Sequence, residues 1–167
     1  MFSSKIKSIT CNRKIRKALR DRQYSARGNN TRVGVITDLA DLRSFSGFYK
    51  DLGIKTEDFS VVVCGSIAEQ GIDLKNIVLD PKEISLTGEF RSEPTKAFLR
   101  QDYNLLICYF SQENRGGSLL AAETMAGKKF GNKPDHYGIY DVEIYADSIC
   151  EFKEEIIKYY KIFKKNN

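Results

Sequence analysis

The run SQENRGGS, residues 111–118, has the composition of an anion-binding turn. Gly116 and Gly117 carry no side chains, so backbone N–H groups there would approach an anion at the start of a following helix. Arg115 would pair with a phosphate through its planar guanidinium, and Ser111 and Ser118 would add hydroxyls. Asp38, with Thr37 beside it, ends the apolar run RVGVITD and would stand at a neighbouring strand end. In open α/β sheets, ligands bind beyond the carboxyl ends of the strands. The candidate ligand set is therefore Asp38, Ser111, Arg115, Gly116, Gly117 and Ser118. Any strand-to-helix connection also needs a polar, glycine-containing turn, so the set stands as an expectation.

Other chemistry is sparsely supplied. His136 is the only histidine and lies in NKPDHYG, which reads as a surface turn. A Ser-His-Asp or Cys-His pairing would have to use it. Asp38, Asp80 and Asp141 are possible carboxylate ligands, but no ligand spacing supports a metal. Neither GxxxxGK[ST] nor GxGxxG is present. No catalytic residue, metal or cofactor is assigned. Lys128, Lys129 and Lys133 in GKKFGNK read as exposed loop lysines. The four cysteines, at 11, 64, 108 and 150, lack zinc or redox spacing. Cys64 and Cys108 end apolar runs and read as buried thiols, in keeping with a reducing cytoplasm.

Charge is concentrated at one end. Residues 1–32 hold ten Lys or Arg and one acid, Asp21, whereas the remainder has 17 bases and 21 acids. Residues 12–24 contain good helix formers and neither Gly nor Pro. On a helical wheel Cys11, Ile15, Ala18, Leu19 and Arg22 share a narrow face. The candidates for contact with an anionic partner are Arg13, Lys14, Arg16, Lys17, Arg20 and Arg22. RNA or the ribosome, through residues 12–32, is the leading partner, with affinity from counterion release. A membrane surface is a weaker reading, because such a helix needs a broad apolar face. The plainest alternative is a solvated helix whose Ile15/Leu19 stripe packs on the domain.

The elements that would position these residues follow from periodicity. RVGVITD, DFSVVVCG and NLLICYF read as buried strands, and YDVEIYA as a further one. A helix is expected over residues 38–53, capped by Asp38, with Leu42, Phe45, Tyr49 and Leu52 on one stripe and Gly53 as its stop. SEPTKAFLRQ is a short helix, and residues 118–127 form another, closed by Gly127. Ser148 and Glu151 make a capping box for a terminal helix that buries Phe152, Ile156, Tyr159 or Tyr160, and Phe163. Strands alternating with helices predict a single α/β domain with a mostly parallel, Rossmann-like sheet of about five strands. The basic segment 1–32, with SARGNNTR as linker, is expected as a separable helix ahead of the domain at 33–167. No apolar stretch approaches the ~20 residues needed to span a bilayer, and no secretory signal pattern opens the chain.

NRKIRKAL, VGVITD, DPKEISLTGEF, YNLLICYF, MAGKKFG, YDVEI and YYKIF, in that order, resemble a family of small α/β proteins of unknown function found in Bacteroidota. The resemblance implies a cytoplasmic bacterial α/β protein and brings no activity or site residues with it. The expected function is that of a non-catalytic binding or accessory protein. The alternative is a nucleotide- or phosphosugar-binding enzyme or sensor with its site at loop 111–118.

Overall fold

A computed structural model describes residues 2–22, 30–66 and 76–165. Six strands form one sheet: β1 (Val33–Asp38), β2 (Phe59–Cys64), β3 (Ile77–Leu79), β4 (Asp102–Tyr109), β5 (Met125–Asn132) and β6 (Val142–Ile144). The order across the sheet is β3-β2-β1-β4-β5-β6, and every pairing is parallel. The chain winds outward from β1 to β3, then returns to the centre and winds the other way through β4 to β6. The order therefore reverses between β1 and β4, where Ile36 lies opposite Cys108.

The inner strands are apolar throughout because both faces are covered. Side chains alternate along β1: Val33 and Val35 enter one core and Ile36 the other. The first core lies beneath α2 (Leu42–Phe45), α3 (Phe48–Leu52) and α6 (Ile149–Lys165), which contribute Phe45, Phe48, Phe152 and Ile156, all fully buried. The second lies beneath α1 (Phe2–Arg20), α4 (Glu93–Leu99) and α5 (Arg115–Glu123). Four-residue spacing of Phe152, Ile156 and Tyr160 puts one stripe of α6 on the sheet. Half of its capping box forms: Glu151 N–H donates to Ser148 Oγ at 3.2 Å, but the Glu151 carboxylate accepts the N–H of Asp147, one residue before Ser148, at 2.8 Å.

Several expectations are corrected. The helix expected over 38–53 is a 3-10 turn followed by the short helices α2 and α3, and Phe48 joins the buried set. Gly53 does stop it, at φ 65°. Asp38 does not cap that turn; its carboxylate reaches across to loop 111–114 instead. Gly127 ends no helix. α5 stops at Glu123, and MAGKKFGN is the eight-residue strand β5, longer than the short KKFG strand that the sequence suggests, so the sheet has six strands where about five are expected. The close approach of β4 explains a glycine there: a Cβ on Gly127 would lie 2.9 Å from the Asn104 carbonyl oxygen.

Lys129 is corrected as well. It is 1% exposed in β5, beneath α5, not in a loop. Its ammonium donates to the Ala121 and Ala122 carbonyls at 2.7 and 3.1 Å. These belong to the carbonyls that a helix leaves unpaired at its C-terminus. Burial pulls its pKa down to about 8.

The basic segment is docked. α1 starts ten residues earlier than the stretch that sequence marks as helical, and Cys11 and Ile15 are 3% and 0% exposed in the core over α5. Ala18 and Leu19 pack against the same cluster. Of the expected linker, residues 25–29 lie outside the described residues. Asn30 and Arg32 are held to the edge of the domain: Asn30 donates to the Asp102 carbonyl and Arg32 to Gln101 Oε1.

Candidate functional site

Two regions bring the candidate residues together. The first is α1. Residues 3–20 contain no acid and no aromatic, so its two faces differ in charge and apolar content alone. With Cys11 and Ile15 turned inward, cations near the rim find internal partners. Lys7 donates to the Pro81 carbonyl, and Lys14 forms an ion pair with Glu89 and lies 3.8 Å from Glu123. Arg22 pairs with Asp141 at 2.7 Å, both side chains being largely buried. Asp141 also accepts the Lys129 N–H at 2.7 Å, so this pair stitches the segment after α1 to β5. Asn12 accepts a hydrogen bond from the Tyr137 hydroxyl at 2.9 Å.

Arg13, Arg16, Lys17 and Arg20 are different. All four are exposed, and none forms an ion pair among the described residues. Helical spacing sets Arg13, Arg16 and Arg20 in one outward strip with Lys17 beside it. Ile6 and Ile9 continue the outer face, 45% and 62% exposed. Of the six candidate cations, then, four form an outward strip and Lys14 and Arg22 are engaged within the protein.

The second region is the carboxyl edge of the sheet. Asp38 lies at the reversal of strand order. Its Oδ2 accepts from Ser111 N–H at 2.8 Å and Ser111 Oγ at 3.0 Å, and its Oδ1 from Asn114 Nδ2 at 2.9 Å. Asn114 caps α5, its Oδ1 accepting the Gly117 N–H at 2.8 Å. Asp38 and Ser111 thus meet, with Asn114 as the intermediary that the sequence analysis did not name. Its position three residues before Gly117 was the available signal.

Gly116 and Gly117 serve close packing. A Cβ on Gly117 would sit 2.6 Å from the Phe110 ring, and one on Gly116 would sit 3.0 Å from Ile84. Arg115 lies 3.6 Å from Glu113 and contributes to the field at Cys11, on the α1 side of the helix. Ser118 faces a cleft of about 480 Å³ between loop 111–114 and loop 133–140. Neither glycine nor Arg115 lines it. Asn132, at the end of β5, fixes its base by donating to the Phe110 carbonyl and accepting the Phe110 N–H. A smaller cleft of about 380 Å³ adjoins it through Tyr109, Asn132 and Lys133.

Burial, and next the Asp38 charge, raises the Asp41 carboxyl. Burial pushes the Cys108 thiol up to about 12 and drives the Cys64 thiol and Tyr140 hydroxyl higher still. Such thiols stay protonated and are poor nucleophiles. His136 is exposed, in the loop ordered by Asp135, whose carboxylate accepts three backbone N–H groups. Among the described residues, no cluster of three or more His, Cys, Asp or Glu could hold a metal ion. None of their helices is long and apolar enough to cross a membrane.

No curated protein and no solved structure matches the chain. Residues 7–163 match a family described as "Family of unknown function (DUF6913)". The match runs from α1 to the last turns of α6, taking in both the basic helix and the carboxyl edge of the sheet, and the chain belongs to that family.

Proposed function

We propose that the protein is a non-catalytic accessory protein that contacts RNA, free or ribosomal, through the outer face of α1. The observation that carries this reading is the strip Arg13, Arg16, Lys17 and Arg20, exposed and without ion pairs among the described residues. Docking of Cys11 and Ile15 fixes the helix, so its charges are held along roughly 10 Å of axis at 1.5 Å rise per residue. Each phosphate that such a cation neutralises releases counterions, which gives affinity without base recognition. The face suits a bilayer less well, because its main apolar stripe is already covered by the domain and, among the described side chains of the helix, Ile6 and Ile9 are the large apolar ones left prominent. We further propose a bacterial cytoplasm, in Bacteroidota, as its setting; the buried free thiols Cys11, Cys64 and Cys108 support a reducing compartment.

The alternative, an enzyme or sensor holding a nucleotide or phosphosugar at loop 111–118, has the neighbouring cleft in its favour. Against it, Asn114 occupies the Gly117 N–H and Asp38 sets a carboxylate behind the loop.

Filter binding of the full chain to poly(U) and to a random-sequence RNA duplex tests the proposal. The comparison is a variant carrying Arg13→Gln, Arg16→Gln, Lys17→Gln and Arg20→Gln. Gln keeps helix propensity close to that of Lys and Arg. Wild type is expected to retain RNA at low salt and the variant to release it. Equal retention by both, or none by wild type, contradicts the proposal.

A further inference from the structure

We propose that the cleft between loop 111–114 and loop 133–140 binds an uncharged nucleoside, a planar base carrying sugar hydroxyls, and disfavours its phosphorylated forms. The volume of about 480 Å³ falls in the range of small-molecule sites. Phe110, His136, Tyr137 and Tyr140 line it, and planar ligands stack on aromatic side chains; Tyr109 also lines it, but its ring packs on Phe45 and Phe152.

Ser118 also lines the cleft and offers its hydroxyl there. A sugar hydroxyl or a ring nitrogen would pair with it.

The walls are already ordered. Asp135 gathers the N–H groups of Tyr137, Gly138 and Tyr140, and the Tyr137 hydroxyl is tied to Asn12 of α1. Tyr140 lies across Gly131 so closely that a Cβ there would be 2.2 Å from its ring. Little ordering would remain for a ligand to impose.

Charge separates nucleoside from nucleotide. Glu113 and Asp135 line the cleft, and Asp38 stands behind Ser111. Lys133 is the one Lys or Arg among the described lining residues. Its ammonium lies 3.5 Å over the Tyr145 ring and 3.6 Å from Glu143, on the far side of the junction with the smaller cleft. A phosphate would face carboxylates without a committed cation.

The test is thermal melting and calorimetry of the full chain with adenosine, guanosine, cytidine and uridine, and with their 5′-monophosphates, at millimolar concentration. At least one nucleoside is expected to raise the melting temperature by about 2 °C or more, and its monophosphate by less. Ser118→Ala should weaken that nucleoside roughly fivefold to tenfold, the loss of one hydrogen bond, without lowering the melting temperature of the free protein by a comparable amount. The four-Gln variant of α1 should bind the nucleoside as wild type does, which separates this proposal from the RNA reading. No stabilisation by any nucleoside, a monophosphate that stabilises as much as its nucleoside, or an unchanged affinity in Ser118→Ala overturns it.

Discussion

Lys129→Met should change how stability depends on pH, by an amount that follows from the burial of one ammonium. Lys129 is 1% exposed, and its pKa falls from 10.5 to about 8 through desolvation. Between those values the unfolded chain holds a proton that the folded chain has released, so the contribution of this group to stability rises with pH. The charged form carries its full penalty below the folded pKa, and the penalty is gone above the unfolded one. At 1.36 kcal/mol per pKa unit, the rise is about 3 kcal/mol in all. Met fills a similar volume and cannot titrate. Burial raises the Cys64, Cys108, Tyr103 and Tyr140 groups and so lowers stability as pH rises, but they do this in both proteins and largely cancel in the difference. Urea unfolding followed by circular dichroism, under reducing conditions from pH 7 to 10.5, gives that difference directly. Wild type should gain about 3 kcal/mol on the variant across the range. Met also leaves the Ala121 and Ala122 carbonyls without their donor, so only the pH dependence is diagnostic. A difference that stays flat with pH would refute the reasoning.

Three other perturbations follow from packing and pairing. Ile15→Ala should cost roughly 2–5 kcal/mol in chemical denaturation because Ile15 is fully buried; a cost near zero would mean that α1 does not dock. Asp141→Asn should cost roughly 3 kcal/mol, since it removes the carboxylate charge paired with the largely buried Arg22 guanidinium, and an unchanged unfolding midpoint would contradict that. Gly131→Ala should destabilise by about 2 kcal/mol or more through the clash with the Tyr140 ring. Tyr140→Leu should relieve part of that cost, so the double mutant should be markedly non-additive in denaturant melts.

The strands β1, β2 and β4 were legible because buried parallel strands are continuous apolar runs. α6 was legible because its stripe and capping box are local patterns. β5 was harder: Gly127 resembles a helix stop, and only its contact with Asn104 of β4 shows why a glycine stands in a strand. The same limit governs the candidate site. Sequence brings out the charge of α1, but Lys14 and Arg22 find Glu89 and Asp141 across more than 70 residues of chain, so no local pattern separates them from Arg13 and Arg16. Asp38 likewise looks like a cap until β4 brings Ser111 and Asn114 beside it. Lys129 had a weak local signal, the alternation of KKFG, and its burial depends on α5 lying over β5.

The salt dependence of RNA binding tests the role of α1 most directly. The observed binding constant should be measured for the full chain and for the four-Gln variant from 50 to 200 mM salt, using the same duplex RNA. If Arg13, Arg16, Lys17 and Arg20 each neutralise a phosphate, the wild-type log–log slope should be steeper than that of the variant by roughly 3–4. Equal slopes, or no wild-type binding at the lowest salt, would contradict the account.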